Sequence, residues 1–111
     1  MTTDHTLDAL YEIVASRKGG DPEASYTAKL FAKGRKKIAQ KVGEEAVEIA
    51  IASLVEGKAE LISESADLLY HLTALWADCD VTPEDVWAEL RQRFGTSGLD
   101  EKKSRKKKGE M

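Results

Sequence analysis

Five carboxylates fall in two blocks at helical spacing: Glu44, Glu45 and Glu48, then Glu64 and Asp67. Side chains three or four residues apart share one face of an α-helix. Two acidic faces on neighbouring helices make a cage of oxygen ligands. Such a cage suits a hard divalent cation, above all one that also holds phosphates. Six basic residues lie just upstream, between Lys29 and Lys41. Acid to hold a cation, beside base to hold an anion, points to chemistry on a polyphosphate. With no thiolate and little histidine in the set, the expected ion is Mg²⁺, with Mn²⁺ as the other candidate. A di-iron site would use Glu-x-x-His pairs, and neither His5 nor His71 follows a glutamate at that spacing. His71 is therefore expected to be a hydrogen-bonded structural histidine.

At 100° per residue, Glu44, Glu45 and Glu48 span an arc of about 100°. Lys41 projects into that arc and Lys37 lies at its edge. The rest of the circumference is nearly all apolar, with Val42, Ala46, Val47, Ile49, Ile51 and Leu54. In the second block Glu60, Glu64, Asp67 and His71 share one stripe, flanked by Leu61, Leu68 and Leu72. A solvated acidic face is the ordinary alternative. Three features weigh against it. The stripe is narrow and bordered by apolar residues, as in a cleft. Lys41 precedes the glutamates, the weaker order for a helix ion pair. Both blocks carry the feature, and clustered carboxylates raise one another's pKa, a cost that a bound cation relieves.

Lys33, Lys37 and Lys41 repeat every four residues and lead into the acidic stripe. Lys37 and Lys41 are expected to hold phosphate oxygens as point charges. A solvated basic surface is an equal reading for Lys29, Lys33 and Lys36. No Gly-x-x-x-x-Gly-Lys-[Ser/Thr] pattern exists, so phosphate binding is not of the Walker type. No nucleophilic Ser–His–Asp or Cys–His set can be argued. Cys79 reads as structural, and Trp76 and Trp87 as core or interface residues.

The elements that must position these groups read as helices throughout. Leu7, Leu10, Tyr11 and Val14 give a first amphipathic helix over 4–16, capped by Asp4 or Thr6. Gly19-Gly20-Asp21-Pro22 breaks it. Ser25 or Thr27 caps a second, which Gly34 interrupts. Long helices follow over 35–55 and 59–79, separated by a turn at Gly57, and each carries one acidic block. Thr82 as N-cap, Pro83 at the first helical position and Asp85 at the third start a last helix that runs to Phe94. Gly95 to Gly98 ends it. The expected fold is all-α, a helical bundle with two long central antiparallel helices, completed by dimerisation.

The chain has 111 residues, enough for one domain over 1–101 with a single modest core. Residues 102–111 form a basic tail, expected to be disordered. The net charge is −3 overall, yet without that tail the body holds 11 basic against 19 acidic residues, or −8. A protein that binds nucleic acid across its surface is normally basic in the body as well, so no nucleic-acid partner is expected. No apolar run approaches the ~20 residues of a membrane helix, and the polar first residues carry no secretory signal. The single cysteine fits a reducing cytoplasm.

The stretch Lys37-Ile-Ala-Gln-Lys-Val-Gly-Glu-Glu-Ala-Val-Glu-Ile-Ala, followed by Glu64-Ser-Ala-Asp67-Leu-Leu-Tyr-His71, resembles the phosphoribosyl-ATP pyrophosphohydrolase family. The wider group is the all-α, MazG-like NTP pyrophosphohydrolases, whose signature E-E-x-x-E then E-x-x-D is matched at all five carboxylates. Flanking blocks, Ser25-Tyr-Thr-Ala-Lys29-Leu and Arg93-Phe-Gly-Thr-Ser-Gly-Leu-Asp-Glu-Lys, narrow it to phosphoribosyl-ATP. The run Arg105-Lys-Lys-Lys108 departs from the pattern and has no assigned role. The resemblance implies hydrolysis of the α–β phosphoanhydride of phosphoribosyl-ATP to phosphoribosyl-AMP and pyrophosphate, the second step of histidine biosynthesis. It implies Mg²⁺ held by Glu44, Glu48, Glu64 and Asp67, with Glu45 orienting or deprotonating water and Glu48 also a catalytic candidate. Lys37 and Lys41 would hold the leaving pyrophosphate, and the active species would be a homodimer. Two other readings stay open: a house-cleaning NTP or dNTP pyrophosphatase of the same group, and a non-enzymatic helical binding module.

Overall fold

A computed structural model describes residues 6–94 of the chain. Five helices account for nearly all of it: α1 (Thr6–Ser16), α2 (Tyr26–Lys33), α3 (Arg35–Val55), α4 (Lys58–Asp78) and α5 (Pro83–Arg93). No strand occurs among the described residues. The expected helix over 35–55 is found with those bounds, and the expected 59–79 helix is shifted by one residue. Asp4, the turn beyond Phe94 and the basic tail lie outside the described residues.

Local chemistry sets the boundaries. Ser25 caps α2, its hydroxyl accepting from the Ala28 N–H at 3.1 Å. Thr27, the other candidate, instead hydrogen-bonds the Tyr70 hydroxyl. Thr82 and Asp85 form a reciprocal capping box at the start of α5, at 3.1 and 2.9 Å. At the end of α4, Val81 N–H donates to Trp76 C=O and Asp80 N–H to Ala77 C=O. That is a Schellman closure, with Asp80 at φ 61° in the place glycine usually fills.

α3 and α4 form the central pair. Arg35, first in α3, meets Asp78, last in α4, with Nε donating to the carboxylate at 2.8 Å and Nη2 to the backbone carbonyl at 2.9 Å. Glu48, further along α3, approaches Glu64, earlier on α4. This pairing of early with late is antiparallel, and the two-residue link Glu56-Gly57 fixes its register. The apolar core lies at one end of the pair. Val14 of α1, Leu30 and Phe31 of α2, Ile38 of α3 and Ala74 and Ala77 of α4 form it, with Leu10, Tyr11, Tyr70 and Leu75 against them. α5 is tied back by the Trp87 indole N–H donating to Asp8 at 3.0 Å. Trp76 and Trp87 pack edge to face, 6.2 Å apart.

The opposite end of the pair has no third layer. Val47, Ile51, Leu54 and Val55 of α3 and Ile62 of α4 are all exposed there. These side chains repeat at helical spacing, so they form one apolar face.

Gly34 separates α2 from α3 with φ 97° and ψ 168°, a region essentially reserved for glycine. The space around it is open, so backbone strain alone opposes a side chain. Gly34→Ala should lower stability by about 1–3 kcal/mol, roughly 4–8 °C in Tm per kcal/mol for a domain of this size. Thermal unfolding followed by circular dichroism checks it, and an unchanged Tm would contradict the assigned conformation.

Candidate active site

The buried positions of α3 are Ile38, Glu45 and Ala52, seven residues apart. Such a heptad row is the seam a helix turns to its partner. A glutamate therefore occupies the middle of an otherwise apolar seam, with only 7 % of its surface exposed. Buried charges are ordinarily paired, and no cation faces this one among the described residues. Glu45 Oε1 is fully enclosed and has no hydrogen-bond partner. Glu64 Oε1, across the seam on α4, is in the same condition.

Glu48 completes the group. One carboxylate oxygen from each of Glu45, Glu48 and Glu64 lies within 4.8 Å of the others. A hydrogen bond with Glu48 is the main reason that the Glu64 carboxyl is pushed up to about 7. Burial, and the negative charges of Glu48, Glu45 and Asp67, add to the rise. Two carboxylates can share a hydrogen bond only through a retained proton, which relieves the repulsion within the cluster. A divalent cation would answer it better. Three convergent hard oxygens fit such an ion, and neither thiolate nor imidazole belongs to the cluster.

Of the residues expected at the site, the structure thus brings Glu45, Glu48 and Glu64 together. Asp67 is exposed, one turn further along α4, and near enough to add its charge to Glu64. Glu44 points elsewhere. It accepts from the Gln40 amide at 2.9 Å and lies 3.7 Å from Lys41 Nζ. The Gln40 bond, helped by Lys41 and Lys37, holds its carboxyl below the usual range. His71 is the buried structural residue expected of it. Its Nδ1 is 2.8 Å from the Asp67 carbonyl, so that nitrogen carries the proton, and its Nε2 accepts from the Tyr26 hydroxyl at 3.2 Å.

Lys37 and Lys41 do not act as a simple helix stripe. They join Lys29 and Lys33 of α2, with Tyr26 and Leu30, around a cleft of about 240 Å³. Lys36 is not part of it. For Lys29 and Lys33, spacing alone did not favour a binding role over a solvated surface. The break at Gly34, which folds α2 against α3, is the one signal that bore on it.

A family model described as Phosphoribosyl-ATP pyrophosphohydrolase matches residues 7–94. The chain belongs to this family. Among relatives, the Phosphoribosyl-ATP pyrophosphatase of Paramagnetospirillum magneticum is 70% identical over 102 residues, covering 92% of this chain and 94% of that protein. The enzyme of the same name from Rhodospirillum rubrum is 62% identical over 101 residues, 91% of this chain and 86% of that one. The Histidine biosynthesis bifunctional protein HisIE of Pasteurella multocida is 59% identical over 87 residues, 78% of this chain but 43% of that longer protein. The matched span of the pyrophosphohydrolase model takes in both acidic blocks and all four cleft lysines.

The raised Glu64 pKa has a signed consequence. Relative to an ordinary carboxyl near 4.5, the folded metal-free chain holds the Glu64 proton more tightly than the unfolded chain does. The resulting stability is fully present below about 4.5 and is lost as pH rises through about 7. Without divalent ions, Tm should therefore fall from pH 5 to pH 8 more steeply in the native chain than in Glu64→Gln. Parallel Tm curves in EDTA would contradict the shared proton.

Proposed function

We propose that the chain hydrolyses the α–β phosphoanhydride of phosphoribosyl-ATP, giving phosphoribosyl-AMP and pyrophosphate at the second step of histidine biosynthesis. The observation that carries this is the pair of enclosed carboxylate oxygens without partners, one on Glu45 and one on Glu64, joined by Glu48, in a chain of the phosphoribosyl-ATP pyrophosphohydrolase family. The names borne by the relatives supply the substrate.

Glu45, Glu48 and Glu64 hold the cation, with Asp67 one turn away as a further ligand. Mg²⁺ is the ion this oxygen set suits, with Mn²⁺ as a substitute. When bound, the ion neutralises charge on the phosphate oxygens. The remaining work falls to the chain. Glu48 is the exposed member of the cluster, so it can reach incoming water and take its proton. Glu45, favoured for that role on sequence grounds, is too enclosed to meet solvent first and serves as an anchoring ligand. The oxygen of water bonds to phosphorus as the bridging oxygen leaves with pyrophosphate. Lys37 and Lys41 hold that leaving group, and Glu44 keeps Lys41 aimed along α3.

The exposed apolar face of the central pair supports a homodimer. Leu54 and Val55 are 82% and 74% exposed, and a contiguous apolar face of this kind marks an interaction surface. No helix among the described residues is long and apolar enough to cross a membrane. The reading is of a cytoplasmic enzyme, one domain over 1–101.

Pyrophosphate release from phosphoribosyl-ATP with Mg²⁺, run beside ATP and dNTPs, tests the activity. Release from phosphoribosyl-ATP and not from the plain nucleotides is expected, and the reverse would move the chain to the house-cleaning group. Glu45→Gln, Glu48→Gln and Glu64→Gln should each lower activity by roughly 100-fold or more, beyond the 10–100-fold typical of outer-shell changes, with the fold retained. Full activity in any two of them would overturn the ligand assignment. Sedimentation analysis should show a dimer, and Ile51→Asp should shift it to monomer; a monomeric native chain would remove the dimer.

A further inference from the structure

The cleft between α2 and α3 is built differently from the carboxylate cluster. Lys29 and Lys33 stand four residues apart on α2, and Lys37 and Lys41 four apart on α3. Gly34, between the two pairs, turns one helix against the other, so that both lysine pairs line a single space. Among the described residues, Lys29, Lys33 and Lys37 form no ion pair, and Lys41 alone lies near a carboxylate, that of Glu44. Four lysines line a cleft of about 240 Å³ in a chain whose body is strongly acidic. A doubly charged anion in that cleft would find cationic side chains on both walls.

The rest of the cleft is apolar. Leu30 is buried beneath it. Tyr26 presents its ring, held in place by the phenol donating to His71 Nε2 and by stacking on Tyr70 at 6.2 Å. An apolar floor under a cationic rim fits a sugar phosphate, the ring on the floor and the phosphate at the rim. The volume falls below the ~300–1,000 Å³ of pockets that enclose whole drug-sized ligands, which suits one end of a longer substrate.

Position fits as well. Lys37 and Glu45 are eight residues apart on α3, roughly 12 Å along the axis. A phosphate chain at the carboxylates that reaches Lys41 and Lys37, on the α3 wall, leaves Lys29 and Lys33, on the α2 wall, without a partner. We infer that Lys29 and Lys33, with Tyr26 as the floor, bind the phosphate of the ribosyl group carried on the base, and that this second anion site selects phosphoribosyl-ATP over ATP. The inference rests on the proposed activity and names the residues that would set its specificity. A phosphate monoester carries about −1.5 to −2 at pH 7, which two lysines match.

The test uses the full chain and the double variant Lys29→Ala/Lys33→Ala, with Lys36→Ala as a control outside the cleft. KM for phosphoribosyl-ATP should rise roughly tenfold per lysine removed, while the inhibition constant of ATP as a competitor stays within twofold. Ribose 5-phosphate should shift the amide resonances of α2 in the metal-free native chain but not in the double variant, and ribose should shift them in neither. Equal weakening of phosphoribosyl-ATP and ATP would overturn the inference, since the lysines would then serve the triphosphate. So would an unchanged KM. A native chain that fails to hydrolyse phosphoribosyl-ATP yet binds ribose 5-phosphate at α2 would sink the proposed activity and keep the anion site. Loss of the circular dichroism signal in the double variant is met by Lys29→Gln and Lys33→Gln singly, for which the same KM split is expected.

Discussion

Like charges held within 4.8 Å across a helix seam are the constraint on which the rest of the structure turns. Left free, Glu45, Glu48 and Glu64 would move apart. Apolar contacts on both sides of the cluster prevent this, because Ile38 and Ala52 bury the same face of α3 above and below Glu45. The link Glu56-Gly57 is too short to let α3 slide past α4, and the Arg35–Asp78 clasp holds the other end. The helix pair therefore tolerates a local repulsion that its packing outweighs. A buried charge without a partner is costly, and a cation held by this ligand set would supply that partner.

The fold divides its work along the central pair. α1, α2 and α5 gather at one end, where the only apolar cluster among the described residues supports the lysine cleft. Rigid packing there keeps Tyr26, Tyr70 and His71 in mutual contact, and through the Asp67 carbonyl it links the cleft floor to the acidic face. Among the described residues, the other end is a two-helix hairpin on which Val47, Leu54 and Val55 are exposed. A hairpin of that kind is marginal alone, since helices draw most of their stability from packing of an apolar face. A second copy supplies that packing in the proposed dimer.

Much of this was legible in the sequence, because the signals were local. Thr82-Pro83 with Asp85 specifies a helix start whatever surrounds it, and the acidic blocks announce themselves by spacing. What could not be read was the choice among adjacent carboxylates. Glu44 and Glu45 differ by one step of 100°, and either could face α4 until the register of the pair is known. The register follows from Ile38 and Ala52, seven residues to either side of Glu45, so the heptad row was present in the sequence but is one of several that an apolar helix offers. The cleft was hidden for a different reason. Whether Lys33 and Lys37 continue one stripe or face each other across a space depends on the backbone angles of Gly34, and glycine permits both. Likewise the pairing of Tyr26 with His71, 45 residues apart, is a tertiary fact with no local signature.

Glu44 on α3 and Glu64 on α4 are shifted in opposite directions, and the reason separates the two halves of the site. Glu44 sits at the basic edge, where the Gln40 amide and the charges of Lys41 and Lys37 favour its ionised form. Glu64 sits at the acidic edge, where every nearby charge is negative and the carboxyl keeps its proton until about pH 7. Environments that push similar groups apart in this way assign them different tasks. Glu44, favoured in its ionised form, lies 3.7 Å from Lys41 Nζ. In the proposed function, a cation bound beside Glu64 would displace the proton that this carboxyl keeps up to about pH 7. Acid and base lie next to each other on α3 with one ion pair between them among the described residues, Lys41 with Glu44, while Glu45 turns inward.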